Sequence, residues 1–211
     1  MPKRNINIVG QEGLFSSSSK PSVSTTSASP SPAIDDEVVN VYRVINQMVT
    51  DGVIKNYALG GAMGAFFYIE PSYTADMDMF CALAHEPLSS GLVMLNPLMD
   101  YLQSKGFGRT DIGAMIYGID VQFQFPSDSL GEASIDSAIT HDLDGTPVRV
   151  MTPEHLIAHM LKTNRPKDRV RLIRFIEAQA FNPTTLYEIL SEHGLEDRFE
   201  ILERLETEVS R

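Results

Sequence analysis

Two stretches in which polar and apolar residues alternate constrain the fold of this chain more than any other feature. The first, TADMDMFCAL at 74–83, places Asp76 and Asp78 on one side and apolar residues on the other. The second, IDVQFQF at 119–125, alternates Asp120 and two glutamines with apolar side chains. Because neighbouring side chains of a strand point to opposite faces, both stretches predict half-buried β-strands. Such strands require a sheet with one face against a core and one face that carries carboxylates.

The segments around these strands add helices and further strands. An acidic first turn, followed by apolar residues at helical spacing, predicts a helix from Asp35 that Asp51-Gly52 ends. The other predicted elements are, in chain order, a strand at 53–59, a turn at Gly60-Gly61, a short helix at 62–68, a helix at 96–105, two strands around Gly118 within 112–125, a helix at 130–139 and a strand at 146–151.

The two ends of the chain differ in character from this middle part. From Thr152, which supplies a capping hydroxyl before Pro153, the pattern predicts three or four helices. Residues 16–33 contain nine serines, two threonines and three prolines, and such a segment cannot bury enough apolar surface to fold.

We therefore predict an α/β (α+β) protein, a mixed sheet flanked by helices and followed by a helical C-terminal segment. Its predicted parts are a flexible Ser/Pro-rich tail at 1–34, an α/β domain at 35–151 and a helical segment at 152–211 packed on that domain.

Charge and composition exclude some classes of function. The formal net charge of −11 argues against a protein that coats nucleic acid, since such proteins neutralise phosphates with Lys and Arg. The excess lies in the middle, where residues 35–150 carry five basic and 16 acidic residues. The single cysteine, Cys81, excludes an internal disulfide framework, and no apolar run approaches the roughly 18 residues that a membrane helix needs. We expect a cytoplasmic protein with no membrane partner.

The strongest functional signal is a Gly-Gly turn followed by three spaced aspartates. Residues i and i+2 of a strand point the same way with Cα atoms roughly 6.5 to 7 Å apart, so Asp76 and Asp78 can converge on one hard cation. Asp120 becomes a third ligand if its strand pairs alongside. Gly60-Gly61, between a strand and a helix start, lets backbone N–H groups approach phosphate oxygens. Together these residues predict a cation site that handles phosphate groups.

Three segments resemble a known family. ALGGAMGAFFYIEPSYTADMDMF at 58–80 resembles the opening motif of the DNA-polymerase-β-like nucleotidyltransferase superfamily, and IDVQF at 119–123 resembles the strand with its third carboxylate. VMTPEHLIAHMLKTNRPKDRVRLIRFIE at 150–177 resembles the C-terminal helices of small bacterial nucleotidyltransferase-like proteins related to AbiE-type toxins. The resemblance extends from about residue 35 to beyond residue 194.

This resemblance implies metal-dependent transfer of a nucleoside monophosphate from a nucleoside triphosphate to a hydroxyl acceptor. It assigns the catalytic and metal-binding roles, with Mg²⁺ or Mn²⁺ as the cofactor, to Asp76, Asp78 and Asp120. It assigns nucleotide binding to Gly60, Gly61, Thr74, Arg165 and Lys167. The implied partners are a nucleoside triphosphate, an acceptor that is RNA, protein or a small molecule, and, for a toxin, an antitoxin protein.

A second hypothesis is a catalytically inactive module of the same fold that binds or senses nucleotides. It rests on Tyr73 and Met160, which occupy positions where many relatives have a charged residue. The basic run at 162–174 likewise has two interpretations, contact with a triphosphate or RNA backbone, or a solvated helix face. The resemblance favours the first and places Arg165, Lys167 and Asp168 toward the rim of a cleft.

Two histidines four residues apart on a predicted helix raise the question of a zinc site. For His155 and His159 the sequence shows no third ligand, and the nearby glutamate precedes the first histidine instead of following it. We interpret the pair as a surface pair.

Overall fold

A computed structural model describes residues 36–70, 74, 76–84 and 95–209. The predicted tail at 1–34 lies outside the described residues, so the three-part division of the chain stays a prediction. The helices are α1 (Asp36–Thr50), α2 (Gly61–Ala65), α3 (Leu95–Ser104), α4 (Ser129–Asp136), α5 (Pro153–Thr163), α6 (Pro166–Glu177), α7 (Pro183–Glu192) and α8 (Phe199–Val209). The strands are β1 (Ile54–Leu59), β2 (Asp76–Leu83), β3 (Gly108–Arg109), β4 (Gly113–Ile116), β5 (Ile119–Gln124), β6 (Ile139–Leu143) and β7 (Thr146–Val150).

The seven strands form one mixed sheet in the order β3-β4-β5-β2-β1-β7-β6. The pairs β2–β5 and β1–β7 are parallel, and the other four pairs are antiparallel. The two strands predicted from their alternation, β2 and β5, are therefore neighbours. This adjacency brings residues that are 44 positions apart in sequence to the same level of the sheet.

One face of the sheet packs against α1 and α3. In α1 the apolar residues recur at helical spacing, and five of them are fully buried: Val38, Val41, Tyr42, Ile45 and Met48. From β2, Met77, Met79 and Cys81 enter the same core. The alternation read from the sequence is confirmed, since Asp76, Asp78 and Phe80 of that strand point to the opposite face.

The opposite face is shared between the C-terminal helices and polar residues. Ala58 of β1 and Phe80 of β2 pack with apolar residues of α5 to α8, including Leu156, Leu161 and Phe175. Asp76 and Asp78 precede Phe80 on the same side of β2 and lie at the edge of this second core. The predicted fold class is thus confirmed, with a mixed sheet flanked by helices and a helical C-terminal segment. No described helix is both long and apolar enough to cross a bilayer.

Four elements differ from the sequence prediction. The two-residue strand β3, whose residues are both exposed, was not predicted. The short helix α2 ends at Ala65 instead of 68, and the helix predicted at 130–139 ends at Asp136. Strand β6 was not predicted, because most of its residues are exposed and show no burial pattern. Its hairpin with β7 turns at Asp144-Gly145, where both residues have positive φ, as a tight two-residue turn requires. The Asp-Gly pair is the sequence signal that could have identified this hairpin.

Two buried tyrosines in the first core give a test of the packing. The hydroxyl of Tyr42 has no hydrogen-bond partner among the described residues, whereas that of Tyr57 donates to Asn46 Oδ1 at 2.9 Å. Because an unsatisfied buried hydroxyl is costly, we expect Tyr42→Phe to raise the free energy of unfolding by up to about 1 kcal/mol. Tyr57→Phe should lower it by about 1 to 2 kcal/mol. Urea denaturation of both variants measures the difference, and equal losses would contradict it.

Candidate functional site

The parallel register of β2 and β5 builds the centre of the candidate site. Asp76 is paired with Asp120, and Asp78 is paired with Gln122. In both strands these residues are half-buried and alternate with buried residues, so their side chains share the second face of the sheet. The sequence analysis allowed Asp120 as a third ligand only if its strand pairs alongside that of Asp76 and Asp78. This pairing is confirmed.

Each of the three carboxylates accepts a hydrogen bond from a hydroxyl or an amide on this face. Asp76 accepts from Thr74 Oγ1 at 2.9 Å through Oδ1 and from Gln122 Nε2 at 3.0 Å through Oδ2. Asp78 Oδ1 accepts from Gln124 Nε2 at 2.8 Å. Asp120 Oδ1 accepts from Thr110 Oγ1 at 3.1 Å. The sequence prediction assigned no role to Gln122 and Gln124. Their alternation with Asp120 in β5 is the signal that places them on the same face.

The three carboxylates fit a hard divalent cation by their donor chemistry. Carboxylate oxygens are donors that Mg²⁺ and Mn²⁺ prefer. Among the described residues no group of three His, Cys, Asp or Glu side chains is arranged to hold a metal ion. Mg²⁺ in phosphate-handling sites is commonly held by only one or two carboxylates together with phosphate oxygens of the substrate. A set of three ligands from Asp76, Asp78 and Asp120 stays a prediction.

The Gly-Gly turn lies directly against Asp78. The backbone N–H of Gly60 donates to the backbone oxygen of Asp78 at 2.9 Å. Gly61 has φ +57°, and a Cβ at this position would overlap the Asp78 carboxylate. Only glycine allows both this backbone conformation and this close approach. The turn therefore allows the carboxylate of β2 to lie against the start of α2.

A pocket of about 300 Å³ opens between the sheet and the C-terminal helices. Of the residues predicted to be catalytic or to bind nucleotide, Gly61, Asp78 and Arg165 line this pocket. Asp76, Asp120, Gly60, Thr74 and Lys167 are not among its lining residues. The apolar part of the wall is formed by Phe80, Phe125, Pro126, Met151, Leu156 and Met160.

The pKa of the Asp78 carboxyl depends on its burial and on the charges around it. Burial, and after it the negative charge of Asp76, raises the pKa of the Asp78 carboxyl above its ordinary value. The positive charges of Lys167, Arg165 and Arg171 act in the opposite direction on the same pKa. Lys167 thus acts electrostatically on Asp78 although it does not line the pocket. The site combines a destabilised carboxylate with a group of cations that faces it.

Arg165 and Arg171 are paired with a buried carboxylate at the start of α6. Asp168 is fully buried, and its Oδ2 accepts hydrogen bonds from Arg165 Nε at 2.8 Å and from Thr163 Oγ1 at 2.7 Å. Burial by itself raises the pKa of Asp168, but these hydrogen bonds outweigh it and hold the pKa below its ordinary value. Asp168, expected near a cleft rim, lies inside the pocket wall. Arg171 also lines the pocket. The sequence analysis placed it in the basic run at 162–174 but did not single it out, because its spacing there is like that of a solvated helix face.

The interpretation of the two histidines as a surface pair is wrong. His155 is buried, with Nδ1 2.9 Å from Thr152 Oγ1, and His159 lines the pocket with Nε2 2.9 Å from Ser134 Oγ. Burial lowers the pKa of His159 to about 4, so its ring is neutral at pH 7. The ring also packs against Phe80, with centroids 5.1 Å apart. The pair thus joins α5 to α4 and to the sheet, contacts that helical spacing alone does not show.

Comparison with known proteins gives matches among solved structures, two of which are described below. No family model and no curated protein matches the chain. The crystal structure of an antigenic nucleotidyltransferase-like protein from Paracoccidioides brasiliensis is similar with a TM-score of 0.48 and 17% identity, over 80% of this chain and 93% of that chain. The solution structure of the antibiotic-resistance factor ANT(2'')-Ia is similar with a TM-score of 0.45 and 16% identity, over 81% of this chain and 97% of that chain.

The close approach of Gly61 to Asp78 gives a matched pair of variants. Gly52 also has positive φ, +70°, but a Cβ there would meet nothing within 4 Å. We expect Gly52→Ala to lose about 1 to 2 kcal/mol of stability from backbone strain alone. Gly61→Ala should lose about 1 to 3 kcal/mol more, because its methyl group must displace the carboxylate. Urea denaturation measures both losses, and equal losses would show that Asp78 does not lie against Gly61.

The raised pKa of Asp78 predicts a pH-dependent stability. Because the folded-state pKa lies above the unfolded value, the native state binds more protons, and wild-type stability falls as the pH rises through the folded-state pKa. We expect Asp78→Asn to have a larger free energy of unfolding than wild type at pH 7 without divalent cations. This gain should vanish at pH values below the pKa that the Asp78 carboxyl has in the unfolded chain. Denaturation at a series of pH values tests this. Asp144→Asn, an exposed turn residue, controls for the lost charge, and the same gain there would contradict the prediction.

Proposed function

We propose that the chain is a divalent-metal-dependent nucleotidyltransferase, which moves a nucleoside monophosphate from a nucleoside triphosphate to a hydroxyl acceptor. The observation that carries the proposal is the parallel pairing of β2 with β5, which sets Asp120 beside Asp76 and Asp78. Beside these residues lies a pocket whose walls hold Gly61, Asp78 and two arginines. A solvated sheet face does not ordinarily combine a tight glycine turn, a half-buried carboxylate against it and a cationic wall.

In the proposed reaction each part of the site has a separate task. The pocket receives the triphosphate, with Arg165 and Lys167 offsetting its negative charge. The family resemblance assigns Gly60 and Gly61 to the phosphates as well, and in the structure the space that a side chain of Gly61 would fill is taken by the Asp78 carboxylate. Thr74 donates to Asp76 and orients one carboxylate. The carboxylates of Asp76, Asp78 and Asp120 would hold the cation.

The transfer step is a substitution at the α-phosphorus. A bond forms between the acceptor oxygen and phosphorus, the bond to pyrophosphate breaks, and the hydroxyl proton leaves to a base. A bound divalent cation supplies neutralisation of phosphate charge and activation of the attacking hydroxyl. The chain's own contribution is to place Asp120 beside Asp76, with Asp78 two residues further along the same face. Hydrogen bonds from Gln122 and Gln124 fix the carboxylates of Asp76 and Asp78. The acceptor class and an antitoxin partner stay expectations of the family resemblance.

The proposal predicts that nucleotide transfer depends on the carboxylates. Purified protein with Mg²⁺ and α-labelled ATP, GTP, CTP or UTP, incubated with RNA or a cell extract, should transfer label to an acceptor. Asp76→Asn and Asp78→Asn should each lower the rate roughly 100-fold or more, since loss of a metal ligand removes several kcal/mol of transition-state stabilisation. Chelation with EDTA should have the same effect. Asp144→Asn is the control with an equal change of charge, and equal labelling by the Asp78 variant would refute the proposal.

A second candidate function is a catalytically inactive module that binds or senses nucleotides. Met160 favours it, because this buried apolar side chain lines the pocket where the family resemblance leads one to expect a lysine. Tyr73, the other departure, lies outside the described residues. The same assay distinguishes the two functions when it is combined with calorimetry. Nucleotide binding without transfer to any acceptor supports the inactive module, and transfer excludes it.

A further inference from the structure

Arg171 on α6 is largely withdrawn from solvent, and its guanidinium makes no hydrogen bond to another described residue. Its side chain is 15% exposed, whereas that of Arg169 on the same helix is 54% exposed. Among the described residues it forms an ion pair with Asp168, and the 3.6 Å between Nη1 and Asp168 Oδ1 is longer than a hydrogen bond. Arg171 lines the pocket that holds Asp78. Its N–H groups are therefore in a position to bind a polar ligand there.

Asp168 does not neutralise the two arginines beside it. Its carboxylate already accepts hydrogen bonds from Thr163 and from Arg165, the latter through Nε at 2.8 Å and Nη2 at 3.2 Å. Arg165 and Arg171 thus share one buried negative charge, and the three side chains together keep one positive charge. Asp168 is fully buried and fixed by these bonds, so it holds the Arg165 guanidinium by hydrogen bonds and attracts that of Arg171 as an ion pair at the pocket wall.

We propose that Arg165 and Arg171 form a phosphate clamp, with Arg171 as a binding residue and Asp168 as the residue that positions both arginines. The planar guanidinium group matches the oxygens of a phosphate and binds them with charge-assisted hydrogen bonds. The clamp faces Asp78 across the pocket, so a phosphate chain would lie between the arginines and the carboxylates. That this phosphate belongs to a nucleoside triphosphate rests on the proposed function.

Inorganic tripolyphosphate tests the clamp apart from the proposed reaction. Calorimetric titration in EDTA should show binding to the wild-type protein and an affinity about tenfold or more lower for Arg171→Gln. Arg169→Gln is the matched control, since Arg169 is two residues away and is paired with Glu208 on the surface. Its affinity should equal that of wild type. Failure of the wild type to bind, or equal affinities for wild type and Arg171→Gln, overturns the clamp.

The same titration separates the clamp from the proposed function. Binding that depends on Arg171 upholds the clamp even when no transfer of label is observed. Transfer of label by a protein whose tripolyphosphate affinity is insensitive to Arg171→Gln overturns the clamp and leaves the nucleotidyltransferase proposal in place.

The positioning role of Asp168 requires a double-mutant cycle. Asp168→Asn should weaken tripolyphosphate binding strongly in the wild-type background and less in the Arg171→Gln background, because part of its effect passes through Arg171. A purely structural role would give equal losses in both backgrounds and would overturn the positioning assignment. Where Asp168→Asn does not fold, Thr163→Val, which removes one hydrogen bond to the same carboxylate, takes its place in the cycle.

Discussion

The parallel pairing of β2 with β5 is the contact on which the candidate site depends. A parallel pair fixes which residues lie side by side, and a shift by one position would turn Asp120 to the other face of the sheet. The register is held by the first core, because Met77, Met79, Val121 and Phe123 must all enter it together. Burial of apolar residues on one face thus determines the alignment of carboxylates on the other.

On the second face of the sheet, the two ends of β2 have different surroundings. Toward the end of the strand, Phe80 and Ala82 pack with the C-terminal helices, and this contact holds α5 and α6 over the sheet. Toward its start, Asp76 and Asp78 remain beside the pocket. The helices therefore serve two purposes, since they cover apolar surface and bring Arg165, Asp168 and Arg171 opposite Asp78. The pocket is therefore lined both by an aspartate of the acidic middle segment, Asp78, and by arginines of the basic run that follows it.

The site carries a cost in stability that the surrounding structure offsets only in part. Asp78 is withdrawn from water and lies near Asp76, so its charged form is unfavourable in the isolated protein. Gln124 and the facing cations reduce this penalty without removing it. Two half-buried carboxylates close together are typical of sites that receive positive charge, because a cation relieves the repulsion between them.

The sequence by itself determined the alternation in β2 and β5, the Gly-Gly turn, the helical C-terminal segment and the set of three aspartates, because these follow from local periodicity and from backbone requirements. It did not determine β6, whose exposed residues carry no burial pattern, nor the burial of His155 and Asp168. Arg169 and Arg171 look alike in the sequence, yet one is paired on the surface and the other lines the pocket. Only the tertiary structure decided these points, because burial, ion pairing and the facing of α6 toward Asp78 depend on segments far apart in the chain.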